Sequence, residues 1–151
     1  KYDIKKVIVI GMSNGGMLAQ SIGCNLGDKV DGIINISGMQ ALGMSCVPKK
    51  PVSMVIYGAL NDFTVPPVDI VASDGYFYEP MKNTVLAWKG TLNCKNSSFI
   101  EKEIPTKISI EKFTDCENNK TITSILDHKN NHDWPKPYKW GIELLFEPLI
   151  N

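Results

Sequence analysis

The chain has no net charge, no basic run, no long apolar stretch and very little histidine, and each shortage removes a class of function. Lys plus Arg and Asp plus Glu both number 16, so the formal charge is 16 − 16 = 0. A neutral chain without a cationic cluster offers no electrostatic footing for nucleic acid or an anionic membrane surface. No apolar run approaches the roughly 20 residues that span a bilayer. The four cysteines, Cys24, Cys46, Cys94 and Cys116, contain no C-x-x-C pair, and the only histidines are His128 and His132. A zinc site is therefore poorly supported, and no metal or organic cofactor is expected. The cysteines admit either buried thiols or three possible disulfide connectivities. The opening residues Lys1 to Lys6 are polar and lead straight into a strand-like run, so no signal peptide is expected in them.

What remains is ordinary globular composition, 43% apolar and 21% charged over 151 residues, enough for one domain spanning 1–151. Val7 to Ile10 is a β-branched run of the kind expected for a parallel strand buried on both faces. A helix follows, with Met17, Leu18 and Ile22 on its apolar side, ending near Gly27. Val30–Ile36 and Val52–Tyr57 read as two further strands, Lys82–Lys89 as a helix, and Lys107–Phe113 and Thr121–Leu126 as alternating strands joined by a turn. Trp140–Phe146 suits a closing helix stopped by Pro148, and Phe63–Pro80 reads as an irregular loop or cap. This alternation predicts an α/β domain around a mostly parallel sheet.

Where the first strand turns into the first helix stands Gly11-Met12-Ser13-Asn14-Gly15, a G-x-S-x-G sequence. The chemistry needs that placement. A nucleophilic serine on a tight strand-to-helix turn lifts its hydroxyl clear of its own backbone, and flanking glycines let strand, helix and substrate approach. The Asn14 N–H, at the helix start, then faces the developing oxyanion, an interaction worth on the order of 3–4 kcal/mol in the transition state. An ordinary glycine-rich turn is the alternative; a dinucleotide loop lacks its G-x-G-x-x-G spacing here. Serine needs a base and the base an orienting acid, and in this fold class they follow in the order Ser, acid, His. Asp62 falls in the loop after the Val52–Tyr57 strand, with Asp69 and Asp74 later and less well placed. His132, in a loop that is free to fold back, is preferred as base over His128, which sits at a strand end.

These stretches resemble the polyhydroxybutyrate depolymerase and feruloyl esterase family of α/β-hydrolases. The resemblance rests on Ser13-Asn-Gly-Gly-Met17 after a strand, Pro51 to Pro66 (PVSMVIYGALNDFTVP), Val85 to Cys94 (VLAWKGTLNC) and Asn130-Asn-His-Asp-Trp-Pro135. It covers most of the chain from about residue 7 to Pro135. It implies Ser13 as nucleophile, Asp62 as acid, His132 as base, a Cys94–Cys116 pairing, a polyester or plant cell-wall ester as substrate, and a secreted or periplasmic setting. Trp134, with Tyr76 to Tyr78, is a candidate lining of an acyl or aryl pocket. Glycines that the family places before the histidine are Lys129, Asn130 and Asn131 here. Family members also carry strands before the nucleophile strand, and a loop there supplies a second oxyanion donor. The expectation is therefore a partial α/β-hydrolase domain, its N-terminal strands missing, with a bare nucleophile-strand edge through which copies can associate.

Overall fold

The computed structural model describes residues 3–103 and 105–150; Lys1 and Tyr2 of the opening segment, Ile104 and Asn151 lie outside the described residues. Six strands form one sheet: β1 (Ile8–Met12), β2 (Gly32–Ile36), β3 (Ser53–Ala59), β4 (Asn96–Lys102), β5 (Ile108–Thr114) and β6 (Ile122–Asp127). Their order is β1-β2-β3-β6-β5-β4. The first four in that order run parallel, while β5 and β4 are antiparallel additions. Helices α1 (Asn14–Asn25), α2 (Met81–Thr91) and α3 (Tyr138–Ile150) complete a mixed α/β fold.

Alternation along the buried strands builds two cores. Ile33, Met54, Ile56 and Ile122 join Cys24 of α1 and Met81, Val85 and Trp88 of α2 on one side of the sheet. Ile34, Ile36, Val55, Tyr57 and Ile125 join Leu145 and Leu149 of α3 on the other. Every residue of β2 and β3 is buried, as continuous apolar runs covered on both faces require. Fully buried Trp88 anchors α2, its indole N–H donating to the Cys46 carbonyl at 2.9 Å.

Two disulfides are present. Cys24–Cys46 ties the end of α1 to the loop after β2, and Cys94–Cys116, the pairing the resemblance implies, ties the end of α2 to the β5–β6 connection. Each closes 22 residues of chain, which in the chain-entropy picture stabilises by roughly 3 kcal/mol. Such bonds fit an oxidising compartment. Among the described residues no helix is long and apolar enough to cross a membrane.

Several expectations are corrected. The first strand is not buried on both faces: among the described residues it pairs only with β2, so Ile10 is 37% exposed at the sheet edge. On α1 the buried face is Gly16, Ala19, Gln20, Gly23 and Cys24, while Leu18 is 61% exposed; small residues let the helix sit close on β1 and β2. Pro148 does not stop α3, which runs on to Ile150 with Pro148 inside its last turn. Buried Leu149 holds that turn by packing against Gly32. Strand β4 has no counterpart in the sequence reading. The Phe63–Pro80 segment is irregular as expected, yet it buries Val65, Pro66, Pro67 and Ala72.

Candidate active site

Parallel strands deliver their C-terminal ends to one edge of a sheet, and three sequence-predicted residues stand there. Ser13 directly follows β1, Asp62 follows β3 and His132 follows β6. Along the sheet, Met12, Ile36, Tyr57 and Ile125 are in register. With strands about 4.8 Å apart, β1 and β3 lie roughly 10 Å from each other. Asp62 and His132 must therefore reach back along loops to approach Ser13.

Ser13 adopts φ 55° and ψ −125°, outside the ordinary regions for an L-residue. Such a conformation costs on the order of 1–3 kcal/mol and persists only where its surroundings impose it. Here the Ser13 N–H donates to the Ile36 carbonyl at 2.8 Å, and the Ser13 carbonyl accepts from the Met17 N–H at 3.0 Å. The turn is thus locked between β2 and the first turn of α1. The N–H groups of Asn14 and its neighbours are first-turn donors without intrahelical partners, at the positive end of the helix dipole. Asn14 itself is exposed.

The glycines of the turn are unequal. A Cβ on Gly11 would stand 2.0 Å from the Gly15 carbonyl oxygen, so only glycine lets strand and helix meet. A Cβ on Gly15 would meet nothing within 4 Å. Gly11→Ala is accordingly expected to destabilise the domain by about 3 kcal/mol or more, because backbone presses on backbone. Gly15→Ala is expected to leave the thermal midpoint unchanged or raised. Thermal unfolding of the two variants, followed by circular dichroism, checks both; equal midpoints would contradict the tight strand–helix contact.

Asp62 and His132 meet. The His132 Nδ1 lies 2.7 Å from Asp62 Oδ2, with the Asp62 side chain fully buried and that of His132 22% exposed. A carboxylate only accepts, so Nδ1 carries the proton of this hydrogen bond. The other carboxylate oxygen, Asp62 Oδ1, accepts the N–H groups of Thr64 at 3.0 Å and Val65 at 2.8 Å. Asp62 is thereby immobilised by its own loop. No hydrogen bond joins Ser13 Oγ to His132 among the described residues. The Asp62–His132 contact is made, and the Ser13–His132 contact is open.

The alternatives weighed in the sequence fall elsewhere. His128 Nε2 is 2.8 Å from Ser109 Oγ, across on β5. Asp69 is exposed, and Asp74 bonds the Tyr76 N–H and the Tyr78 hydroxyl of its own turn. Trp134 is partly buried against the α3-side core, and Tyr76 is 65% exposed. Next to His132, Asp133 pairs with Lys136, whose ammonium, with the Trp134 N–H, holds the Asp133 carboxyl below the usual carboxylate range. Among the described residues no group of three or more His, Cys, Asp or Glu is arranged to hold a metal ion.

Sequence reasoning missed a polar cluster beneath the His132 loop. Asp127, the last residue of β6, is fully buried and accepts from the Tyr57 hydroxyl at 3.0 Å. Burial first, and then the neighbouring Asp127 carboxylate, hold that hydroxyl far above the ordinary tyrosine range, while the Asn130 amide works the other way. It stays protonated and remains a donor. The one available signal was a carboxylate ending an apolar strand at Ile125-Leu126-Asp127.

Compared with models of known protein families, the chain matches none, and a comparison with curated proteins finds no match either.

Proposed function

We propose that this chain carries the catalytic site of a serine carboxylic-ester hydrolase with an α/β-hydrolase fold. One observation carries the reading: a serine on an imposed positive-φ turn shares the C-terminal sheet edge with a buried-carboxylate–histidine pair at 2.7 Å. In this mechanism His132 Nε2 takes the Ser13 proton as Oγ attacks the ester carbonyl. The Asn14 N–H supports the oxyanion, and Asp62 holds the imidazole tautomer and steadies its charged form. His132 then hands the proton to the leaving alcohol, and a water deprotonated by the same imidazole releases the acid. A nucleophile–base bond that is long in a free enzyme and tightens on the substrate is common in such sites.

The polyhydroxybutyrate depolymerase and feruloyl esterase resemblance supplies the substrate class, a polyester or plant cell-wall ester. Together with the two disulfides it supports a secreted or periplasmic setting. The edge position of β1 supports self-association there as part of the same proposal. A second reading, a hydrolase-like domain that binds without turnover, draws on the open Ser13–His132 contact. Hydrolysis of p-nitrophenyl butyrate separates the two. Turnover above the buffer rate is the expected result, and none would favour the binding domain.

A further inference from the structure

We propose that Asp127, Tyr57 and Asn130 form a clamp of positioning residues that sets the His132 loop against Asp62. His132 lies five residues beyond the end of β6, on a segment with no regular structure of its own. Something must hold its ring to the accuracy a proton transfer needs, and the hydrogen bonds identify what does. Asp127 Oδ1 accepts the N–H groups of Lys129 at 2.9 Å and Asn130 at 3.0 Å, turning the chain sharply as it leaves the strand. Asp127 Oδ2 accepts the hydroxyls of Tyr57 at 3.0 Å and Thr106 at 3.2 Å. Four donors thus surround one buried carboxylate, and among the described residues no cation pairs with it.

Asn130 extends the clamp across the histidine. Its side-chain amide donates to the Tyr57 hydroxyl at 3.0 Å and to the Trp134 carbonyl at 3.0 Å, so the loop is tied on both sides of His132. The acid loop is joined to the same unit, because the Asn61 amide donates to the Lys129 carbonyl at 3.0 Å. Tyr57 is the hub: it belongs to β3, whose end leads to Asp62, and it bonds groups at the end of β6 and in the His132 loop. A buried carboxylate without a cation is a costly group to retain for stability alone. Orienting a base is a use that matches its four fixed donors.

This inference rests on the proposed function only in taking His132 as the base; the clamp's hold on the His132–Asp62 bond stands apart from turnover. The test uses Tyr57→Phe and Asn130→Ala in the full chain, with Ser109→Ala, whose hydroxyl bonds Glu101 and His128 and no clamp residue, as control. The first readout is the His132 ring Nδ1–H signal in proton–nitrogen NMR, identified by its loss in His132→Gln. In the parent and in Ser109→Ala it is expected to be downfield and slow to exchange. In Tyr57→Phe and Asn130→Ala it is expected to broaden away while the core amide signals stay in place. The second readout is p-nitrophenyl butyrate hydrolysis, where kcat is expected to fall about ten- to a hundredfold with KM within about twofold, as a misplaced base predicts. An unchanged ring signal in both variants would overturn the clamp. If the parent shows no turnover, the hydrolase reading fails while the ring signal still decides the clamp.

Discussion

Ser13→Ala is expected to reduce p-nitrophenyl butyrate hydrolysis to the buffer rate, a loss on the order of 10⁶-fold in kcat where the triad operates as a unit. The fold should be untouched, so the loss can be assigned to chemistry. Ser13 makes no side-chain cap bond to α1, and its turn is held by backbone groups, Ser13 N–H to Ile36 and Met17 N–H to Ser13. Alanine keeps both. It also keeps the positive φ, at a cost in strain similar to that of serine. A thermal midpoint within a few degrees of the parent, with turnover gone, is the expected pair of results. Residual turnover at parent rate would move the nucleophile to another residue.

Asp62→Asn is expected to lower kcat by about 10⁴-fold, the scale on which a wrong histidine tautomer acts. The structure fixes how the amide must sit. Oδ1 accepts two backbone N–H groups, from Thr64 and Val65, so the amide oxygen of asparagine must take that place. The NH₂ group is then forced toward His132 Nδ1, which must become an acceptor. The ring proton moves to Nε2, and the nitrogen that should take the serine proton already holds one. Little stability is lost, because the two loop bonds survive. Activity that rises steeply in Asp62→Asn, or that ignores the substitution, would contradict the Asp62–His132 pairing as a catalytic device.

Much of this arrangement was legible because its determinants are local. The β-branched run before Gly11, the apolar stretch of β3 and the G-x-S-x-G turn each encode their conformation within a few residues. Asp62 was reachable from its position after β3. His132 was separable from His128 only as a preference, since which histidine meets the acid depends on a loop folding back. The rest depended on tertiary partners. Strand β4 is exposed along all seven residues and takes its conformation from pairing with β5, so Asn96 to Lys102 shows no alternation to read. The buried face of α1 is written in Gly16, Ala19 and Gly23, residues chosen for close approach rather than for hydrophobicity. The cluster of Tyr57, Asp127 and Asn130 joins residues up to 73 apart in sequence, and no spacing rule links them.

The central claim is that Ser13 is a nucleophile activated by His132. The most direct measurement is labelling with a serine-reactive phosphonate, mapped by peptide mass spectrometry in the parent, Ser13→Ala and His132→Gln chains. A single adduct is expected on the peptide holding Ser13, absent in Ser13→Ala and slowed at least about a hundredfold in His132→Gln, the scale of general-base catalysis. An unlabelled parent chain, an adduct on another serine, or equal labelling with and without His132 would contradict that claim.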